Sequence, residues 1–146
     1  MKFDAKEFNQ LTTSELYEIL KSRMKVFFLE QKIVCLDMDD VDYRSTHLFL
    51  EEDGQVVAYL RAFDKDDDTV KIGRVLTLHH GSGIGRQLME NALSYIKSQM
   101  PCRMIYVESQ KHAEGFYAKF GFRTVSDEFM EADIPHVAME LPLIRK

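Results

Sequence analysis

The run His79-His80-Gly81-Ser82-Gly83-Ile84-Gly85-Arg86 lies between a strand-like segment and a helix-like one, and its residue types suit the binding of a phosphate. Alternate glycines let the main chain turn tightly and approach a ligand closely. The N–H groups of the following helical turn have no internal partners, and the helix dipole adds partial positive charge at the same end. A loop of this kind can hold a diphosphate without a cluster of basic side chains. Spacing excludes one common use and weakens another. A nucleoside-triphosphate loop needs Lys and then Ser or Thr after its last glycine, and none follows Gly85. A dinucleotide loop needs Gly-x-Gly-x-x-Gly, and here the third glycine comes one residue early, behind a hairpin. A nicotinamide-dependent dehydrogenase is therefore a distant reading.

The remaining common use of such a loop is the diphosphate of coenzyme A. A second segment with chemical content, Gln110-Lys111-His112-Ala113-Glu114-Gly115-Phe116-Tyr117-Ala118-Lys119-Phe120-Gly121-Phe122, follows the next strand-like run. By itself it reads as an amphipathic helix whose aromatics fill a core. No metal site is expected. Asp64, Asp66 and Asp68 alternate like a calcium loop, but Thr69 and Val75 stand where its glycine and last glutamate belong. Asp37 and Asp39 fail the same test, with Leu48 at the final ligand position. The five histidines show no metal spacing, and Cys35 and Cys102 make only one possible pair.

The elements that must position these residues follow from periodicity. Thr12-Thr13-Ser14-Glu15 offers a cap, and Leu16, Ile19, Leu20, Met24, Phe27 and Phe28 recur at helical spacing, which predicts a helix over 14–29. Asp37 to Asp42 has no apolar period and reads as a loop. Thr46 to Glu52 and Gln55 to Phe63 read as strands joined at Asp53-Gly54, a strong hairpin signal. A turn at Asp64 to Asp68 leads into Val70 to Leu78, the third of three antiparallel strands. Ile84, Leu88, Ala92 and Ile96 line one face of a helix that ends before Pro101. Met104 to Val107 reads as a buried strand and Ala113 to Phe120 as a helix stopped by Gly121. Val125 and Val137 to Leu141 supply the last strands, giving the order β-α-βββ-α-β-α-ββ. The fold class is α+β, a mixed and mostly antiparallel sheet flanked by helices.

At 146 residues one domain spanning 1–146 is expected. The formal net charge is −5, and no Lys/Arg run resembles a nucleic-acid footprint, so nucleic acid and anionic membrane are not expected partners. The longest apolar runs are too short for a bilayer span. A soluble, cytoplasmic protein is the expectation, as monomer or homodimer.

The glycine loop and the Gln110 to Phe122 segment together resemble the GNAT superfamily of acyl-coenzyme A-dependent N-acetyltransferases. Both motifs occur in the family's order and spacing. Arg23 to Val26, Phe27, Glu30-Gln31, Asp37, Asp39, Asp42, Gly73-Arg74-Val75 and Ile134-Pro135-His136 look like its ElaA branch, so the likeness spans most of the chain. The resemblance implies the acyl-CoA N-acyltransferase fold. It also implies a diphosphate held at His80, Gly81, Ser82, Gly83, Ile84, Gly85 and Arg86, and a pantetheine arm meeting Gln110, Ala113, Phe116, Tyr117 and Phe120. Three departures accompany it. His80 stands where arginine or glutamine is usual, Gln110 stands where asparagine is usual, and the link from Val75 to Gly81 is slightly short.

The implied reaction moves an acetyl group from acetyl-CoA to a primary amine. The amine must be neutral to attack, and an acceptor such as lysine, with pKa about 10.4, first needs a base. Glu30, Asp39 and Glu108 are the candidates, since Val70 to Leu78 holds no acid. Main-chain N–H groups of Val75, Leu76, Thr77 and Leu78 would hold the oxyanion. Tyr117 is the implied general acid for the departing thiolate. A domain that binds acyl-CoA without turnover, as a sensor or docking module, is the alternative reading. Thiol release separates the two.

Overall fold

The computed structural model describes residues 1–143. Asp53 and Gly54 take left-handed backbone angles, φ 52° and 77°, and turn strand β2 (Thr46–Glu52) into β3 (Gln55–Asp64). That geometry matches the natural twist of two paired strands. An N-terminal strand β1 (Lys2–Glu7) joins the outer side of β2, and β4 (Thr69–Thr77) pairs antiparallel with β3. Parallel neighbours need a crossover, and helix α2 (Ile84–Gln99) supplies it between β4 and β5 (Met104–Gln110). The sheet runs β1-β2-β3-β4-β5-β8-β6, with β6 (Arg123–Thr124), β7 (Phe129–Glu131) and β8 (Ile134–Pro142); β7 pairs with β8 only. Among the described residues only β4 and β5 pair in parallel, which is the mixed, mostly antiparallel sheet expected.

Alternation along β2 and β3 buries both faces. Leu48, Leu50, Leu60 and Ala62 pack with Leu88, Met89, Ala92 and Ile96 of α2, while Phe49, Val56 and Tyr59 meet Ile19 and Val26 on the other side. Strands covered on both faces read as nearly continuous apolar runs. Among the described residues no helix is long and apolar enough to cross a membrane.

Several boundaries differ from the sequence reading. Helix α1 (Thr13–Arg23) starts from a capping box between Thr12 and Glu15, then widens at Met24–Glu30 into a π-helical turn in which the Gln31 N–H reaches the Val26 carbonyl. The wider turn buries Val26 and leaves Met24 and Phe28 exposed, so the 3.6-residue stripe does not continue into the core. Strand β5 runs to Gln110 because β8 pairs along it throughout. Helix α3 is short (Glu114–Ala118), entered through a 3₁₀ turn at Lys111–Ala113 and closed by Gly121 at φ 97°. The strand expected at Val125 is instead the two-residue β6, and the short β7 carries no pattern long enough to recognise.

Candidate active site

Strands β4 and β5 pair from Thr69 opposite Met104 to Ile72 opposite Val107, and then part. Beyond that point β4 stays bonded to β3 and β5 to β8. The register of β3 with β4 slips between Tyr59 and Arg61, where Arg74 adopts φ 51°. Such a non-glycine bulge re-aims a strand and needs outside support. Arg74 receives it from Asp37, whose carboxylate accepts from Nε at 2.9 Å and whose carbonyl accepts from Nη2 at 3.0 Å. The Leu78 N–H donates to the Val57 carbonyl at 2.8 Å, and strand alternation then turns the N–H groups of Val75 and Thr77 toward the gap. Of the four residues expected at the oxyanion, Leu78 thus has its N–H engaged by β3, and Leu76 faces β3 by the same alternation. The gap opens into a cleft of about 950 Å³, lined in part by Val75, Val107, Gln110, Ala113 and Tyr117.

The glycine loop sits at the start of α2. Gly81 and Gly83 have φ 76° and 79°, in the left-handed region where glycine carries no steric penalty. The N-cap Gly83 has no side chain to cap with, and the first intrahelical donor is the Gln87 N–H. The N–H groups of Ile84, Gly85 and Arg86 are thus left open. Gly85 does something else: a Cβ there would lie 3.4 Å from Thr77 Cγ2 and 3.5 Å from the Phe116 ring. Its smallness brings α2 onto β4 and α3. His80 extends outward to Glu30 at 2.6 Å, and both are exposed.

On α3, Tyr117 is buried at the cleft floor, edge-on to Phe116 and Phe122 with ring centroids 5.2 and 5.7 Å away. Burial pushes its phenol well above the ordinary range. Phe116 also meets Phe120 edge-on. Gln110 donates to Gln31 Oε1 at 2.8 Å, tying the end of β5 to the segment that follows the π turn.

The α1 end of the cleft is built of charge. Arg23, on α1 and fully buried, donates from Nε to Asp37 and from Nη1 to Asp42, each at 2.7 Å. Arg61 of β3 holds Asp39 through two nitrogens at 2.8 and 2.7 Å and reaches Asp42 at 3.1 Å. The Arg61 guanidinium, with help from Arg74, drives the Asp39 carboxyl far below the usual carboxylate range. Glu108 is paired with Lys71. Behind the lattice, His47 Nδ1 lies 2.6 Å from the Tyr59 hydroxyl.

The model of the acetyltransferase (GNAT) domain matches residues 5–143. This chain belongs to the GNAT acetyltransferase family. It is 38% identical to a UPF0039 protein of Schizosaccharomyces pombe over 147 residues, covering 98% of each. It is 34% identical to ElaA of Escherichia coli over 143 residues, 94% of each, and the crystal structure of that ElaA superposes with a TM-score of 0.89, 96% of this chain on 99% of the other. An acyl-CoA N-acyltransferase from Pseudomonas aeruginosa gives the same TM-score of 0.89 at 35% identity, with 96% and 99% covered.

Within this GNAT domain, Val75, Gln110, Ala113 and Tyr117 come together along the cleft, and Phe116 backs Gly85. The expected bases do not share one environment. Asp39 and Glu108 line the cleft but are held by cations, and Glu30 points to His80. Asp37 to Asp42, read as a loop, is a lattice gripped by arginines of three elements. Arg23, Arg61 and Arg74 carried no role in the sequence reading because their partners lie 14 to 37 positions away. His136 also lines the cleft, and only its place in the family likeness marked it beforehand.

Proposed function

We propose that the protein transfers an acetyl group from acetyl-CoA to a primary amine by direct attack, with Tyr117 as general acid. The parting of β4 from β5 carries this reading, since it leaves a free strand edge above Tyr117 and beside the open end of α2. An extended amide arm can add to such an edge, and a diphosphate suits three uncapped N–H groups at a helix start. Gly81, Ser82 and Gly83 would shape the cradle, with Ile84, Gly85 and Arg86 donating.

In the reaction the amine nitrogen forms a bond to the acetyl carbonyl carbon. Negative charge grows on the carbonyl oxygen, where the N–H groups of Val75 and Thr77 can stabilise it. The C–S bond then breaks, the thiolate takes the Tyr117 proton, and the new amide nitrogen gives up its surplus proton, which restores the phenol through water. The raised phenol stays protonated across the working range, so the donor is always loaded. It is a weaker acid for the same reason. The thiolate forms in the same dry place, and desolvation raises a thiol too, which narrows the gap between the two.

Titration calorimetry with acetyl-CoA, followed by thiol release in the presence of primary amines, tests the proposal. Binding together with amine-dependent thiol release is expected. Absence of acetyl-CoA binding overturns it, and binding with no thiol release from any amine favours the non-catalytic module.

A further inference from the structure

The geometry points to His136 as the residue that takes the proton from the acceptor ammonium, an assignment that rests on the acetyltransferase reading above. Amine attack needs a proton acceptor in the cleft, and three of the four acids that line it are spoken for. Asp37 is bound by Arg23 and Arg74, Asp39 by Arg61 and Arg74, and Glu108 by Lys71. A carboxylate so neutralised is a poor destination for an ammonium proton.

His136 differs in each respect. It stands on β8 opposite Gln110 of β5, at the level where β4 has already parted from β5. Its side chain is only 10% exposed and lines the cleft, with the ring stacked on Phe129 at 6.0 Å. Nδ1 lies 2.7 Å from the Ile134 carbonyl oxygen. A carbonyl only accepts, so in the neutral ring Nδ1 carries the hydrogen and the lone pair is on Nε2. Nε2 is 3.7 Å from Glu131 Oε2, too far for a hydrogen bond. The lone pair is therefore available, and Glu131 stands ready to stabilise the imidazolium. Among the cleft-lining acids and histidine of the described residues, this couple has no Lys or Arg bound to it.

The ammonium proton passes to Nε2, the freed nitrogen pair attacks the acetyl carbon, the C–S bond breaks, Tyr117 protonates the sulfur, and the new amide nitrogen sheds its second proton, which restores the Tyr117 phenol through water. The imidazolium afterwards releases its proton to solvent.

His136→Asn separates this role from packing, since the Asn amide can still donate to Ile134 while no basic nitrogen is left. Thiol release from acetyl-CoA is measured with benzylamine, an ammonium at neutral pH, and with aniline, which is neutral there. The variant should lose roughly 10²-fold with benzylamine, the scale of a lost general base, and little with aniline. Unchanged acetyl-CoA affinity and an unchanged circular dichroism spectrum serve as folding controls. Equal losses for both amines, or none, overturn the assignment. If the wild type turns over neither amine, the imidazole nitrogen spectrum decides: benzylamine added to the coenzyme A complex must shift the His136 Nε2 signal, and an unmoved signal overturns the proposal. Failure of acetyl-CoA to bind is a separate result that strikes the acetyltransferase reading itself.

Discussion

The two ends of the cleft are made of different material. At the α2 end the groups on offer are main-chain N–H donors of Ile84, Gly85 and Arg86, supplied by a helix whose N-cap is a glycine. At the α1 end the wall is a lattice of side chains, with Arg23, Arg61 and Arg74 interleaved among Asp37, Asp39 and Asp42. Helix α1 caps its own first turn, with Thr12 taking the Glu15 N–H and Glu15 taking the Thr12 N–H. A backbone cradle accepts one kind of ligand group and tolerates side-chain change. A charge lattice accepts no ligand by itself, because its charges already satisfy one another; its role is to hold loop 37–42 and the strained Arg74 backbone in place.

The largest effect should come from opening that lattice. Asp42 lies between Arg23 and Arg61, and its side chain is 12% exposed. Asp42→Asn leaves two buried guanidiniums short of charge, and removing one partner from such a cluster costs about 3–5 kcal/mol. Arg86→Ala, which breaks the exposed Arg86–Glu90 pair, should change stability by about 0.5 kcal/mol or less. Urea unfolding of both variants checks this. Equal midpoints would erase the distinction between the two ends.

The next effect is on chemistry. Tyr117→Phe keeps the ring against Phe116 and Phe122 and removes only the hydroxyl, for which no hydrogen-bond partner exists among the described residues. Turnover should fall roughly 10²-fold or more while acetyl-CoA affinity holds. An acyl donor with a more acidic leaving thiol should recover much of the rate. A variant that turns over at the wild-type rate, where chemistry limits, removes Tyr117 from the mechanism.

The difference between the ends also explains what could be read from the chain. The Asp53-Gly54 hairpin, the Ile84-Leu88-Ala92-Ile96 stripe and the spacing from Gly81 to Gly85 are local patterns, and all three map directly onto elements. The lattice is not local. Arg23 meets Asp42 across 19 positions and Arg61 meets Asp39 across 22, and no periodicity joins such pairs. The π turn escaped because its sequence continues a helical stripe that tertiary packing overrides. His136 was marked only through the family likeness, because its surroundings depend on β7, three residues whose pairing only the folded sheet creates.

A smaller test concerns the cradle. Gly83→Ala puts a Cβ into open space but at φ 79°, which costs roughly 1–2 kcal/mol. Calorimetry should show coenzyme A weakened more than pantetheine, which lacks the diphosphate. Gly85→Val instead drives methyl groups toward Thr77 and Phe116 and should cost about 1–3 kcal/mol by overpacking. It should weaken both ligands together. If the two variants behave alike, the loop acts through packing and not as a cradle.

The smallest effect is a slope with pH, and it tests the lattice from behind. His47 is buried, with Nε2 2.9 Å from the Asp42 carbonyl and Nδ1 accepting from the Tyr59 hydroxyl. Burial is the main cause of its lowered pKa; the Asp42 carbonyl and carboxylate oppose it, and the Arg23 and Arg61 charges add to it. The unfolded chain therefore binds this proton first as pH falls. Stability is complete above the ordinary histidine value of 6.5 and declines below it, by at most about 1.4 kcal/mol per pH unit for one proton. Asp39 and Asp42 are also held low, so their contribution is present above the ordinary value of 3.8 and is lost only as pH falls beneath it. Urea midpoints should thus decline in two stages. His47→Gln, whose amide can still donate to the Asp42 carbonyl, should flatten the upper stage and leave the lower one. An upper stage that survives in the variant would mean that His47 is not the group coupling the lattice to pH.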